Sequence, residues 1–549
     1  MQTLLDLLDD AVARFGDRPA FGIRHEDGST ESLTFREFSD RSRAAAFRLR
    51  ALGLQPGDRV LTWSPSTPAL PVAYFGAMRA GLVYVPLDLR MSKDAIEGVV
   101  RSSGARHLVK GSGRDAPDPA EFGLGDVAST DVETIGAAPE EGEMTLAGDW
   151  AAQVDAWPRP QADELVELIF TSGTTGTPKG VMLAHANLIA ANRTFHRIVP
   201  AMDHRIVSLL PLSHLLEQAV GVFYALSVGA SVLYVRSRNP RVIFEALREH
   251  RVTSMVVVPQ VLDLFWSAIE REVEKTGRTR LFGLLRSIAR RLPVPARRLI
   301  FRRVHAQLGG SFRLFMSAGA FLPPALQEAW EDLGVTVLQG YGATETGTGS
   351  STTLTDHGLG TVGRPPEGIE MRLAADGEVQ FRGPSLFKGY WDAPELTAAA
   401  FSDDGWYKTG DIGHLDAEGR LILSGRKKDT IVLPNGFNVY PEDIENALRI
   451  AGLRDSVVLE TAPGRIEAVL LVPGGPIRTA DDKLELDPAA PPPELRSTIN
   501  AAVKAANGTL GPNQRIAGWR LWPESDFPRT HTLKVKRDLV RTWVGANPI

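Results

Sequence analysis

Two periods alternate along the chain. Acidic and apolar positions mixed over Met1–Asp10 predict an amphipathic helix, and that segment has neither the basic start nor the long apolar stretch of a signal peptide. The run Leu165–Phe170 is short, apolar and bounded by polar residues, which predicts a buried strand. From 181 to 345, helical patterns such as Val242–His250 alternate with β-like runs such as Ser254–Pro259 and Arg313–Ser317. That alternation predicts mostly parallel α/β layers. The longest uncharged stretch, Gln218–Val235, carries Gln218, Ser227, Ser231 and two glycines and ends at Arg236, so it predicts a buried helix followed by a strand rather than a membrane span. Residues 111–164 show little periodicity and predict surface loops or an irregular strand layer. Beyond Gly360 the texture becomes short strands between glycine-bounded turns, which predicts a small β subdomain over about 360–425.

The cation-rich Gly425-Arg-Lys-Lys-Asp429 follows a strand, suits a linker better than a core, and marks the main boundary. The expected organisation is an α/β N-terminal domain over 1–427, large and multi-layered, and a small mobile α+β C-terminal domain over 428–549. The triple proline Pro491–Pro493 predicts an exposed loop within the latter.

At 549 residues the chain exceeds what one core holds, and it must divide into at least two domains. A net charge of −5 gives no global attraction to nucleic acid, so no nucleic-acid partner is expected. The chain has no cysteine, which excludes disulfides, thiolate metal sites and a cysteine nucleophile. Any thiol in its chemistry must arrive on a second substrate. These features predict a cytoplasmic protein.

The most informative segment is Thr171-Ser-Gly-Thr-Thr-Gly-Thr-Pro-Lys-Gly180, with three glycines, five hydroxyls and one lysine. Glycines let backbone N–H groups turn inward around an anion, hydroxyls add donors, and Lys179 adds a compact charge, so the segment reads as a phosphate-holding loop. Each donor to a charged oxygen contributes about 1.5–3 kcal/mol. It is not a Walker loop, because Lys179 lies between Pro178 and Gly180 rather than before a serine or threonine.

Four further segments accompany that loop: Pro211-Leu-Ser-His214, Tyr341-Gly-Ala-Thr-Glu-Thr346, Tyr407-Lys-Thr-Gly-Asp411 and Pro528-Arg-Thr-His-Thr-Leu-Lys534. With Gly425–Asp429 they resemble, in order and spacing and over nearly the whole chain, the adenylate-forming superfamily of acyl-CoA synthetases, luciferases and peptide-synthetase adenylation domains. The resemblance implies a nucleotide site made of Thr171, Ser172, Gly173, Thr174, Thr175, Gly176 and Lys179. Gly319 and Ala320, the run Gln339, Gly340, Tyr341, Gly342, Ala343 and Thr344, and the pair Asp411 and Arg426 complete it. Tyr341 would lie under adenine, Asp411 would accept the ribose hydroxyls, and Glu345 would hold Mg²⁺ against the triphosphate. Lys534 is the implied catalytic cation of the first step, with Thr175 and His214 as further catalytic positions. Lys428 matches the hinge about which the C-terminal domain turns, and Gly436 in Pro434–Asn438 the loop that passes pantetheine. Leu533 departs from the glycine the family commonly places there, a departure long-chain acyl-CoA synthetases often share.

The implied substrates are ATP, a carboxylic acid and coenzyme A, with carrier-protein phosphopantetheine as an alternative acceptor. Leu212–Val222 contains no aspartate to hold an α-ammonium group, so an amino acid is disfavoured. Glu217 after Leu215-Leu216, together with the 425–436 segment, looks most like bacterial long-chain fatty acyl-CoA synthetases. Met255–Val258 and Val261–Phe265 are candidates for an apolar acyl wall. The alternatives are an aryl, polyketide or terpenoid acid, a nucleotide-binding regulator without turnover, and a luciferase-like oxygenase. Between Arg278 and Arg303 stand nine arginines and no acid, interleaved with leucines and an isoleucine at helical spacing. This reads either as a solvated surface helix or as a helix in peripheral contact with a membrane.

Overall fold

A computed structural model describes residues 1–112, 116–139, 149–171, 178–237, 239–453, 455–472, 490–530 and 534–547. The chain forms two compact units. One comprises Met1–Met371, Phe381–Tyr407 and Ala417–Leu421, and the other Arg372–Gln380, Lys408–Asp416 and Ile422–Ile549.

Two large sheets organise the first unit. The eight-stranded sheet runs Ser350–Ser351, Thr336–Tyr341, Leu314–Ser317, Ser254–Val257, Arg205–Ser208, Ser231–Val235, Pro19–Arg24, Thr30–Thr34. All neighbours from Thr336–Tyr341 to Pro19–Arg24 pair in parallel, and only the two edge strands are antiparallel. The six-stranded sheet runs Ser129–Asp131, His107–Lys110, Arg59–Trp63, Val83–Pro86, Leu165–Thr171, Lys179–Ala184, parallel except for the last pair. Parallel strands need crossover connections, and Pro240–Glu249 lies on the one from Ser231–Val235 to Ser254–Val257 and Pro259–Lys275 on the one from there to Leu314–Ser317. The expected α/β class with mostly parallel sheets is therefore observed.

Alternation along the strands decides what each face does. Val207, Met255, Val257, Phe315 and Val337 pack with Leu247, Leu262, Phe265 and Trp330 in one buried cluster. The expectation that Met255–Val258 and Val261–Phe265 form an acyl wall is thus corrected for Met255, Val257, Leu262 and Phe265, which are core. Val256 and Ser208 alternate onto the opposite face. From Arg205–Ser208 the chain moves to its neighbour Ser231–Val235, then crosses back to Ser254–Val257 on the other side. That reversal is a switch point at the carboxyl ends of parallel strands, where α/β sheets bind ligands.

The predicted buried helix before Ser231–Val235 spans Leu215–Gln218 and Ala225–Val228, joined by a π-helical segment Ala219–Tyr224. The arginine-rich stretch is not one helix. It divides into Thr279–Ala289, Val294–Ile300 and Arg302–Gln307, with Pro293 and Pro295 removing the N–H groups that continuity requires.

In the second unit, a three-stranded sheet, Ser456–Ala462 antiparallel to Arg465–Leu470 and Gly518–Leu521 parallel to it, carries helices on both faces. Ile444, Leu448, Ile499 and Val503 from Pro441–Ile450 and Pro493–Thr509 fill one side. Val540 and Val544 from Arg537–Ala546 pack with Trp522 and Phe527 on the other.

At the heart of the first unit Glu167 is fully buried. Tyr74 donates its hydroxyl to Glu167 Oε2 at 2.7 Å, and Gln218 Nε2 donates to Oε1 at 2.8 Å and to the Leu212 carbonyl at 2.8 Å. Burial outweighs these bonds and pushes the carboxyl up to about 7. Raised in the fold and ordinary when unfolded, Glu167 contributes fully below pH about 4.5, and its contribution is lost as pH climbs toward about 7. Glu167→Gln should therefore lose less Tm than wild type between about pH 5 and about pH 8, a difference on the order of 2 kcal/mol. Thermal melts across that range with equal losses in both proteins would show that Glu167 is ionised when folded.

Candidate active site

The phosphate-loop candidate joins two antiparallel neighbours, with Thr171 directly opposite Lys179. Ser172, Gly173, Thr174, Thr175 and Gly176 lie outside the described residues. The hairpin is extended by Lys388–Trp391, whose main chain bonds back to Met182 and Gly180. This brings Tyr390 beside the lysine. Lys179 Nζ stands 5.3 Å from the centroid of the Tyr390 ring, and the Tyr390 hydroxyl donates to Glu345 Oε1 at 3.0 Å. Burial and then the Glu345 charge hold the Tyr390 and Tyr407 hydroxyls well above the usual tyrosine range, so both remain protonated donors. A cation, a neutral phenol and an aimed carboxylate are thus held together. Tyr390 was not foreseen from sequence, and its only local signal is an aromatic pair after a glycine with φ of +135°.

The adenine-side candidates sit at the carboxyl edge of the eight-stranded sheet. Tyr341 ends its strand with its ring 5.9 Å from that of Phe381, at 45°. Gln339 is buried, its N–H bonding Thr352 Oγ1 at 2.8 Å, and at Gly340 a Cβ would come no closer than 3.7 Å to a neighbour. Gly342 and Ala343 are exposed and Thr344 half-buried. The turn that carries Glu345 is locked by Ala343 N–H donating to Thr346 Oγ1 at 2.8 Å. In the loop after Leu314–Ser317, Gly319 adopts φ of +85° with only Val258 within reach of a Cβ, at 3.7 Å. Ala320 beside it is exposed. Small residues there leave backbone open to a flat ligand.

His214 belongs to a cluster that sequence reasoning missed. Asp88, 3% exposed, follows the strand Val83–Pro86; its Oδ2 is 2.9 Å from His214 Nε2 and accepts from Ser213 Oγ at 3.2 Å. Arg90 binds both Asp88 oxygens, each at 3.0 Å, and its Nη2 lies 3.3 Å from His214 Nε2. Burial opposes ionisation of Asp88, but hydrogen bonds and charge from His214 and Arg90 prevail and hold it well below the usual carboxylate range. The two halves of this cluster are separated by more than a hundred residues of sequence, so no local pattern announces it.

The remaining candidates belong to the second unit. Asp411 and Arg426, both expected at the sugar, pair with each other, Arg426 Nε to Asp411 Oδ1 at 2.8 Å. Lys427 is anchored by Asp376 at 2.6 Å and Glu378 at 3.1 Å, whereas its neighbour Lys428, the hinge candidate, is exposed. Gly436 sits at φ of +78° at the tip of the exposed turn between Ile431–Val432 and Asn438–Val439, with nothing within 4 Å of a Cβ. Lys534 is exposed at the base of a turn, where its N–H donates to Thr530 Oγ1 at 3.2 Å and its carbonyl accepts from Thr530 N–H at 2.8 Å. Leu533 lies outside the described residues. Among the described residues no group of three or more His, Asp or Glu gathers as a ready-made metal cage.

The scaffold brings a lysine and a carboxylate to the carboxyl edge of parallel strands, where α/β folds bind ligands. Residues 8–391 match the model of the AMP-binding enzyme family. The chain therefore belongs to that family, within the adenylate-forming superfamily. It is 31% identical to the long-chain-fatty-acid–CoA ligase FadD15 of Mycobacterium bovis, over 94% of this chain and 91% of the relative. A long-chain-fatty-acid–CoA ligase of Escherichia coli is 28% identical over 81% of each chain. Among solved structures, o-succinylbenzoate CoA synthetase (MenE) from Bacillus subtilis, in complex with its acyl-adenylate, shares the fold with a TM-score of 0.74 at 21% identity, over 97% of both chains.

The Asp88 cluster makes a stability prediction. Asp88→Asn removes the charge that Arg90 and His214 face and should cost about 2–3 kcal/mol in denaturant unfolding. An unchanged unfolding midpoint would show that the ion pairs contribute nothing.

Proposed function

We propose that this enzyme converts a long-chain fatty acid to its acyl-CoA in two steps, with ATP and coenzyme A as co-substrates. The convergence of Lys179, Tyr390 and Glu345 beside the hairpin supports the reading most directly, and the fatty-acid–CoA ligase relatives support the substrate class. In the first step a carboxylate oxygen of the acid attacks the α-phosphorus of ATP, the bond to the β,γ-diphosphate breaks, and acyl-AMP and pyrophosphate result. Lys179 binds the polyphosphate, Tyr341 supports adenine, and Asp411 with Arg426 addresses the ribose. Lys534 supplies the cation that meets charge developing on the phosphoryl oxygens, worth roughly 3–4 kcal/mol.

Glu345 suits Mg²⁺ that arrives with the triphosphate, because that ion is usually held by one or two carboxylates plus phosphate oxygens rather than by a protein cage. When bound it neutralises phosphate charge. Tyr390, hydrogen-bonded to Glu345 Oε1, holds the carboxylate in place.

In the second step the thiol sulfur of coenzyme A attacks the acyl carbon, its proton is lost to solvent, and AMP leaves with the electron pair of the broken C–O bond. A lid beginning at Lys428 turns about that residue to exchange Lys534 for the turn around Gly436, past which pantetheine runs. His214, held by Asp88, lines the meeting point of acyl pocket and thiol path. With no cysteine in the chain the acceptor thiol is external.

We further read the Thr279–Ala289 helix as a membrane-surface contact of a cytoplasmic enzyme that collects lipid acids. Leu281, Leu284 and Ile288 are 51%, 58% and 46% exposed along one stripe. Arg286 and Arg290 are spent on Asp332, and Arg297 and Arg298 on backbone carbonyls. Arg278, Arg280, Arg291, Arg302 and Arg303 are exposed, with no ion pair among the described residues. Each basic residue near an anionic leaflet contributes about 1 kcal/mol. No helix among the described residues is long and apolar enough to cross a membrane.

Two experiments test these readings. Pyrophosphate release and acyl-CoA formation, followed across saturated acids of increasing length, should rise about fourfold in kcat/KM per methylene until the pocket is filled. In the same assay Lys534→Ala should lower adenylate formation by on the order of 10²–10³, yet still convert supplied acyl-AMP and coenzyme A to thioester. Flat kinetics across the series would remove the lipid assignment. Separately, a Leu281/Leu284/Ile288→Ser variant should lose most pelleting with vesicles containing phosphatidylserine; undiminished pelleting would sink the membrane contact.

A further inference from the structure

The acyl-CoA ligase reading is the basis for an inference about which acids the pocket prefers. Glu217 lies one helical turn beyond His214, its N–H bonding the His214 carbonyl at 3.1 Å. It is fully buried, and neither carboxylate oxygen has a hydrogen-bond partner among the described residues. Two more buried oxygens nearby share that condition: Ser208 Oγ, at the carboxyl end of Arg205–Ser208, and the Tyr234 hydroxyl on Ser231–Val235. Ser208 and Tyr234 are register partners on adjacent parallel strands, so their side chains leave the same face. The Ser208 hydroxyl and the Leu210 backbone approach the Glu217 carboxyl without normal hydrogen-bond geometry, and the Glu217 charge acts on Tyr234. The carboxyl has room because residue 221 is glycine: a Cβ there would stand 2.6 Å from Glu217 Oε1.

Ordinary packing does not account for this trio. The chain neighbours of Glu217, namely Leu215, Ala219, Val220, Val222 and Phe223, are buried and apolar, so a carboxyl at 217 is not what the composition of this segment calls for. Each buried hydroxyl left unpaired costs about 1–3 kcal/mol, and native structures rarely leave such groups without a use. Burial pushes Glu217 up to about 8, so at neutral pH its carboxyl is protonated and both donates and accepts. Immediately after it the helix takes π geometry over Ala219–Tyr224, a distortion frequent at functional sites. Ser208 ends a strand at the switch point of the sheet, and Glu217 follows His214 by about one helical turn, roughly 5 Å along the axis.

We propose that Glu217, Ser208 and Tyr234 form a polar subsite of the acyl pocket. It hydrogen-bonds a hydroxyl or oxo group carried on the acid within the first few carbons beyond its carboxylate. Among fatty acids of equal length the enzyme then favours the hydroxy or oxo acid over the unsubstituted one, since a site whose polar groups are buried binds less well a ligand that leaves them unpaired.

The test compares acyl-CoA formation from decanoate, 3-hydroxydecanoate and 5-hydroxydecanoate by wild type, Glu217→Gln, Glu217→Leu and Tyr234→Phe. Wild type should favour one hydroxy acid by about tenfold or more in kcat/KM. Glu217→Leu and Tyr234→Phe should lose that preference, lowering the hydroxy acid and raising decanoate, while Glu217→Gln retains most of it. Tyr234→Phe carries the test alone should Glu217→Leu fail to fold. Equal use of all three acids by wild type, or variants that move all three together, would overturn the subsite and reduce the trio to a hydrated structural cluster, leaving the ligase reading intact. No acyl-CoA from any acid would overturn the ligase reading, and the subsite with it.

Discussion

The hydrogen bonds that Glu167 accepts from Tyr74 and Gln218 fix the relation between the parts of the first unit that carry the candidate site. Glu167 lies on the strand that delivers the phosphate-loop candidate, and Gln218 on the helix that starts at Leu215 just after His214. The same Gln218 amide nitrogen also holds the Leu212 carbonyl, and with it the turn from Pro211 to His214. One buried carboxyl therefore ties the strand that leads into the phosphate-loop candidate to the turn that carries His214. A fully buried acid is costly to place, and the two hydrogen bonds it accepts, with the third from Gln218 to Leu212, hold it in one arrangement.

The first unit holds two kinds of buried acid, and their environments assign them opposite states. Asp88 has a guanidinium and an imidazole against it and stays ionised. Glu217 has hydroxyls at a distance and apolar neighbours, and stays neutral. Side chains of the same chemistry thus act as a fixed anion that orients His214 and as a two-way hydrogen-bonding group deeper along the same helix. What separates them is the company each keeps, since both are withdrawn from water.

Much of the fold was legible because it is written locally. The Leu165–Phe170 run, the alternation over 181–345 and the helix before Ser231–Val235 are set by periodicity, and parallel layering follows from their order. The loop composition around Lys179 is local in the same way, whereas Glu345 was legible only through the resemblance of its Tyr341–Thr346 frame to a family motif. The Asp88–His214 pair and the approach of Tyr390 to Lys179 and Glu345 could not, because each joins strand ends far apart in sequence that meet only through sheet order. The misreading of Met255–Val258 has a different cause: an apolar run does not say which face of its strand meets helices and which meets a cavity. Register decides that, and register belongs to the sheet.

Thr171 and Lys179 are cross-strand neighbours, and this has a consequence for affinity. The two ends of the segment between them are held at the spacing of adjacent strands, about 5 Å, before any nucleotide arrives. The entropy of bringing those ends together, which grows as roughly (3/2)RT times the logarithm of loop length, is charged to folding rather than to binding. Under the proposed function, nucleotide affinity is thereby coupled to the integrity of a hairpin: a change that frays the Phe170–Gly180 pairing loosens the ends of the candidate phosphate loop.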